Sequence, residues 1–145
     1  MSKSLTLVLD LRQKEETQAL THLAQARQAM QQLQDKYNRL AMYRRDYLGE
    51  LQQKGSLGMK ALNMSHYQHF VARLDDGLGE LTSQLEQSRQ VVAQREHQWR
   101  QARQATKAIE LLLERQAQKH ATQQQRREQR ELDDLVSRRL GTPIA

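Results

Sequence analysis

The chain has 145 residues, of which 28% are charged and 37% are hydrophobic, and its net charge is +6. This composition is too polar for a large globular core, and the absence of cysteine excludes disulfides and thiolate metal sites. No stretch approaches the ~20 apolar residues of a membrane-spanning helix, and the first ten residues do not resemble a signal peptide. We therefore expect a soluble protein inside the cell, with a basic surface that attracts acidic partners.

Apolar residues in the first part of the chain recur at alternating steps of four and three, which is the spacing of a coiled-coil helix. Ser4 is a suitable N-cap, so helix one is expected over about residues 4–53. This first stripe consists of Leu5, Leu9, Arg12, Glu16, Ala19, Leu23, Ala26, Met30, Leu33, Tyr37, Leu40, Arg44, Tyr47 and Leu51.

Glycines interrupt the helical pattern after the first stripe. Gly55 and Gly58 allow the positive φ of a tight reversal, so a turn is expected over about residues 54–64. Ser65 opens a capping-box pattern, which places the start of helix two close to it. Gly141 suits the position after a helix C-terminus, so helix two is expected to end immediately before this glycine.

A second apolar stripe runs from Tyr67 to Leu113 and matches the first in length. If the chain folds back at the glycines, Leu51 faces Tyr67 and Leu5 faces Leu113, so that each stripe is buried on the other. The sequence therefore predicts an all-α fold, a long two-helix antiparallel coiled coil or helical hairpin, as a single domain over residues 1–145.

The second stripe contains one irregularity. Two consecutive steps of four, from Phe70 to Leu78, break the regular spacing. Gly77 and Gly79 lie at the same place, and each is unfavourable in a helix. We expect a local bend or a close approach of the helices here, opposite Leu40; a tolerated pair of surface glycines is the alternative.

Beyond Leu113 the chain is almost wholly polar, and helix one has no residues left to cover it. We therefore expect residues 114–140 to form a single-helix overhang of helix two. A short apolar face near its end predicts a C-terminal docking face for the groove of a partner, unless the segment is a frayed tail. This face consists of Leu132, Leu135, Val136 and Leu140.

No group of residues has the spacing of a catalytic, cofactor-binding or metal site. His66 and His69 lie three residues apart without a third ligand nearby. The glycines of the break are too close together for a phosphate-binding loop. The sequence therefore predicts no enzyme activity, no cofactor and no bound metal.

All four tyrosines and the one phenylalanine lie near the expected closed end of the hairpin. Tyr43 occupies a flanking heptad position among Arg39, Arg44 and Arg45, and a partly exposed aromatic ring in such surroundings is typical of an interface hot spot. The alternative interpretation is a locally wide coiled coil that needs large side chains.

Helix two also contains a basic run that is interrupted by one acidic residue. This run predicts docking of an acidic partner, unless it is an ordinary solvated face. It consists of Arg89, Arg95, Arg100, Arg103 and Lys107.

The aromatic pattern about the glycine-containing connection resembles the FliJ family of flagellar type III export proteins. The chain length, the lack of cysteine, the region around Trp99 and the Arg-rich polar C-terminal helix are also similar to that family. The residues that carry the resemblance are Tyr43-x3-Tyr47 and Leu62-x4-Tyr67-x2-Phe70-x3-Leu74.

The resemblance implies a cytoplasmic antiparallel coiled coil that is similar to the central stalk of rotary ATPases. Its implied partners are the flagellar export ATPase FliI, the ATPase regulator FliH, the export-gate protein FlhA and export chaperones. No nucleic acid is implied, and contact with the inner membrane is only peripheral, through the gate. The implied role is that of a non-enzymatic factor that couples the export ATPase to the export gate and escorts substrate chaperones.

The resemblance also implies where two of the partners bind. The family surface that binds the export gate corresponds here to Leu40, Tyr43, Tyr47, Phe70 and Leu74. Three positions of this region depart from the family, which commonly has glutamine at Lys36, alanine at Gly77 and histidine at Leu81. The open end, where both termini lie, is expected to enter the ATPase ring.

Three other functions fit the same sequence. One is the equivalent stalk of a virulence type III secretion system. Another is a basic coiled-coil adaptor that binds nucleic acid, although the basic residues are spread around both helices. The third is a structural spacer that dimerises, with pairing selected by the polar seam residues Arg12, Glu16 and Arg44.

Overall fold

The chain forms two long helices in a computed structural model, α1 (Ser2–Ser56) and α2 (Ala61–Leu140). The structure describes Ser2–Ser56, Gly58 and Ala61–Gly141, and no β-strand occurs among these residues. Because the two helices pack against each other, the predicted all-α helical hairpin coiled coil is confirmed. Leu57, Met59 and Lys60 of the expected turn lie outside the described residues, as does the side chain of Leu62 in the family pattern.

Both helices extend further into the connection than the sequence predicts. Gly55 stays within α1, and α2 begins at Ala61, so Ser65 lies inside α2 and does not cap it. Within the connection, Gly58 takes a φ of 83° and donates its N–H to the carbonyl of Gly55 at 3.3 Å. The prediction for Ser65 is wrong because this left-handed glycine reverses the chain earlier than a cap at Ser65 requires.

α2 ends at Leu140, and Gly141 follows it with a φ of 65°. The N–H of Gly141 donates to the carbonyl of Arg138 at 3.4 Å, which satisfies one of the free carbonyls at the helix end. No segment of the described residues has the length and hydropathy of a membrane-spanning helix.

The chain divides into two compact units. The hairpin unit is Thr17–Arg100, and the terminal unit combines Met1–Glu16 with Gln101–Ala145. In the hairpin unit, every first-stripe position from Ala19 to Leu51 is buried or half-buried. The apolar core of this unit is narrow: Leu23, Leu74 and Leu85 are only 1%, 8% and 5% exposed, respectively.

The terminal unit has its own short seam. Leu5 of α1 and Leu113 of α2 are half-buried, and Thr106 is buried with its hydroxyl donating to the carbonyl of Ala102 at 3.1 Å. Every side chain from residue 114 to residue 136 is exposed. The continuous buried stripe of α2 therefore ends at Leu113.

The two helices approach closely at one of the two glycines in the irregular part of α2. A Cβ atom on Gly77 would lie 3.2 Å from Cδ2 of Leu40, whereas a Cβ atom on Gly79 would meet nothing within 4 Å. The close approach opposite Leu40 is therefore found at Gly77, and Gly79 faces open space. Both glycines lie within the continuous helix α2.

This difference predicts that alanine stabilises the two positions unequally. Gly79→Ala should raise the free energy of unfolding by roughly 0.5–1 kcal/mol, because alanine favours the helix and its methyl group meets nothing. Gly77→Ala gains the same propensity but must displace Leu40, so its gain should be smaller. Urea unfolding followed by circular dichroism measures both, and equal stabilisation would contradict the close approach.

The narrow core predicts that truncation of Leu23 lowers the free energy of unfolding by a large amount. Leu23→Ala should lower the free energy of unfolding by about 2–5 kcal/mol, because it opens a cavity between the helices. Leu20→Ala is the matched control, since Leu20 is exposed on the same helix and should change stability by about 0.5 kcal/mol or less. Similar losses in the two variants would show that the seam is not the stabilising contact.

Candidate partner-binding surface

Four aromatic side chains of the hairpin unit form one cluster near the connection between α1 and α2. Helical spacing puts Tyr43 and Tyr47 on one face of α1, and Tyr67 and Phe70 on one face of α2. Tyr47 is the centre: its ring centroid lies 4.7 Å from that of Phe70 and 5.1 Å from that of Tyr67. The ring of Tyr43 stacks on that of Tyr47 at 6.4 Å. We call these four residues the aromatic cluster.

Two titratable groups in and beside the aromatic cluster have shifted pKa values. Burial among the rings raises the pKa of the Tyr47 phenol above its ordinary value. The Lys54 ammonium donates to the hydroxyl of Tyr67 at 2.8 Å, and this hydrogen bond raises the pKa of Lys54. Both pKa values move further above physiological pH, so the Tyr47 phenol stays uncharged and the Lys54 ammonium stays charged there.

The five predicted gate-binding residues differ in how accessible they are. Tyr43 is 52% exposed, on the flank of α1, and its ring makes an edge contact with Phe70 at 6.2 Å. Leu40, Tyr47 and Phe70 are half-buried, whereas Leu74 is buried because its seam position faces α1. The structure therefore presents Tyr43 on the surface and places Leu74 in the core beneath it, and binding of the gate by these residues stays a prediction.

The arginines around Tyr43 are mostly engaged within the chain. Arg44 forms a two-pronged ion pair with Asp75 of α2, Nε to Oδ1 and Nη2 to Oδ2, the second at 3.5 Å. Arg45 lies 3.8 Å from its neighbour Asp46. Arg44 therefore joins the two helices of one chain, and its selection of pairing between chains stays a prediction.

The antiparallel register of the two stripes, and not the residue types alone, indicates the Arg44–Asp75 pair. The antiparallel register that opposes Leu51 to Tyr67 also places Asp75 within one residue of the position facing Arg44. Arg12, a second polar seam residue, pairs with Glu15 on its own helix at 3.0 Å. These contacts explain how charged side chains fit on the seam.

A shallow groove lies beside the aromatic cluster in the hairpin unit. Its volume is about 450 Å³, and it is lined by Lys36, Arg39, Leu40, Tyr43 and Leu81. The sequence pattern placed Arg39 near Tyr43 but did not identify the groove. A groove of this kind depends on how closely the backbones approach, and the spacing of residues does not encode that distance.

The predicted basic run is not one uniform exposed face. In the hairpin unit, Arg89 and Arg100 lie 3.6 Å and 2.7 Å from carboxylates of the preceding turn of α2. Arg95 is half-buried on the seam and donates to a glutamine of its own helix at 3.2 Å. Arg103 and Lys107 belong to the terminal unit and are exposed. Docking of an acidic partner on this run stays a prediction.

The predicted C-terminal docking face lies at the end of α2 in the terminal unit. Its four apolar side chains are 48% to 72% exposed, so the described residues leave the face largely uncovered. Binding of a partner there stays a prediction. These side chains are Leu132, Leu135, Val136 and Leu140.

The described surfaces offer aromatic rings, aliphatic side chains and cations. Among the described residues, no group of three or more His, Asp or Glu side chains could hold a metal ion. Exposed aromatic and arginine side chains over an apolar surface are enriched in protein interfaces. The arrangement is therefore suited to recognising another protein.

Comparison with known proteins identifies the family. The profile described as Flagellar FliJ protein matches residues 1–143. The chain is 27% identical over 135 residues to the Flagellar FliJ protein of Escherichia coli (strain K12) and 26% identical over 135 residues to that of Salmonella typhi. Both comparisons cover 93% of this chain and 92% of the relative. No solved structure is significantly similar to the chain. Because the profile extends over nearly its whole length, this chain belongs to the FliJ family of flagellar proteins.

Proposed function

We propose that the protein is a non-enzymatic, stalk-like component of the flagellar type III export apparatus. It couples the export ATPase FliI to the gate protein FlhA, contacts the regulator FliH and escorts substrate chaperones. It works in the cytoplasm, at the cytoplasmic face of the inner membrane. The observation that carries the proposal is the family match over residues 1–143, which supports a role in flagellar export.

The terminal unit supports assignment of the ATPase contact to this part of the chain. Its α2 segment is exposed from residue 114 to residue 136 and carries both basic and acidic side chains, with the basic ones from residue 115 to residue 127 uninterrupted by an acidic one. Charge complementarity guides docking and sets its rate more than it adds affinity. The C-terminal docking face, from Leu132 to Leu140, supplies the apolar surface that such a contact buries.

The aromatic cluster supports assignment of the gate contact to the hairpin unit. Tyr43 has an exposed ring that is held in place by stacking on Tyr47 and by its edge contact with Phe70. A side chain that is already ordered loses little conformational entropy on binding, and tyrosine is enriched among binding hot spots. We therefore assign Tyr43 as the centre of the gate contact, with Leu40, Tyr47 and Phe70 around it.

A direct binding experiment tests the two main partners. The purified protein should be captured by the export ATPase and by the cytoplasmic domain of the export gate, and it should increase ATP hydrolysis. Coupling between the two partners requires contact with both. Failure to bind either one, by a chain that circular dichroism shows to be helical, would contradict the proposal.

The gate contact makes a residue-level prediction. Tyr43→Ala should weaken binding of the gate's cytoplasmic domain by roughly tenfold or more, because hot-spot truncations lose at least ~1–2 kcal/mol. The variant should keep its helicity, since Tyr43 is half exposed and Tyr47 stays in place. Isothermal titration calorimetry measures the affinity.

Met42→Ala is the control for Tyr43→Ala. Met42 is the neighbouring residue, is 54% exposed and is also large and apolar. Its helical position points about 100° away from that of Tyr43, so its truncation should leave gate affinity nearly unchanged. Equal losses in the two variants would place the contact elsewhere on α1.

A further inference from the structure

The basic residues around the groove fall into two groups. Arg44 pairs with an aspartate of α2, and Arg45 lies beside an aspartate of its own helix α1. Lys36 and Arg39 form no ion pair with any described residue, and both line the groove. The acidic neighbour Asp35 instead accepts a hydrogen bond from a glutamine at 3.0 Å. Two cations without a carboxylate partner therefore border the groove.

Aliphatic and aromatic side chains form the rest of the groove lining. Leu40 and Tyr43 come from α1, and Leu81 comes from α2. Lys36 and Arg39 are three residues apart, so both lie on the same face of α1 as Leu40 and Tyr43. The groove thus combines an apolar wall with positive charge along one edge.

The balance of desolvation and pairing decides what kind of ligand suits such a groove. A purely apolar ligand would cover Lys36 and Arg39 without pairing them, and a cation that is desolvated without a partner is unfavourable. A purely acidic ligand would leave Leu40 and Leu81 in contact with water. A ligand that carries an apolar group and a carboxylate pairs the two cations and also covers Leu40 and Leu81. Exclusion of water by its apolar part then strengthens the charge contacts.

We propose that the groove binds a segment of the export-gate partner in which an apolar side chain is flanked by carboxylates. The apolar side chain packs against Leu40, Tyr43 and Leu81, and the carboxylates pair with Lys36 and Arg39. This inference rests on the proposed function, because it takes the gate as the partner, and it adds the chemistry by which the gate is recognised.

The charge contacts are tested with the purified cytoplasmic domain of the export gate. Lys36→Ala with Arg39→Ala should weaken its binding by roughly tenfold or more, because the variant removes both charge-assisted contacts with the carboxylates of the segment. The decrease of affinity with added salt should also become shallower, since fewer charges meet in the complex. Calorimetry at low and at physiological salt measures both effects.

The matched control is Arg27→Ala with Arg73→Ala. These two arginines belong to the same unit, are exposed and do not line the groove. The control removes the same total charge as the groove variant, so it separates a local contact from the general attraction of a basic protein. Its gate affinity should stay within about threefold of wild type.

Substitutions at Leu81 test the sign of the ligand charge. The side chains of glutamine and glutamate have nearly the same shape, so Leu81→Gln and Leu81→Glu lose the same apolar contact. The carboxylate of Leu81→Glu should repel an acidic ligand and also neutralise Lys36 and Arg39. Leu81→Glu should therefore bind the gate roughly tenfold more weakly than Leu81→Gln, and added salt should reduce this difference.

The outcomes separate this inference from the proposed function. If wild type binds the gate but the Lys36→Ala, Arg39→Ala variant binds equally well, the inference is wrong and the proposed function stands. If the wild-type protein does not bind the gate at all, the proposed function fails and the inference fails with it. Binding of poly-uridylate that the double variant loses, with unchanged gate affinity, would assign the cations to nucleic acid and overturn the inference.

Discussion

Burial of one apolar stripe on another is the interaction on which the rest of the structure depends. Among the described apolar residues, only Leu23, Leu74 and Leu85 are almost fully buried. Most seam side chains are half-buried, so stabilisation is spread over many weak contacts along the helices. With so narrow a core, most side chains face solvent, and exposed side chains such as Tyr43 lie beside the seam without disturbing it.

The aromatic cluster shows how the seam determines which residues a partner meets. Tyr47 lies on the seam and holds the rings together, whereas Tyr43, one turn earlier and on the flank, leaves half of its surface exposed. Leu74 occupies a seam position as well, and there it is buried. Two residues of the implied gate-binding surface therefore differ in position: Tyr43 is exposed on the flank, and Leu74 supports the packing beneath it.

The spacing of apolar residues was sufficient to predict the hairpin, because every position of the first stripe is buried or half-buried. Features that depend on three-dimensional distance were not predictable in the same way. Ser65 was misassigned as a cap because Gly58 reverses the chain first. The partner of Arg44 is on the other helix, and the groove depends on how the backbones approach, as they do at Gly77.

The 23 Lys and Arg residues overstate how many cations are available to a partner. Ion pairs within the chain engage Arg44, Arg89 and Arg100, and exposed pairs of this kind contribute little to stability while reducing the local potential. Cations without such partners carry more weight where they border an apolar surface, as Lys36 and Arg39 do. There, charge alone is not enough for tight binding, because the apolar wall must also be covered. Specificity for an acidic protein segment over any other polyanion would then arise from the apolar contact rather than from the charge.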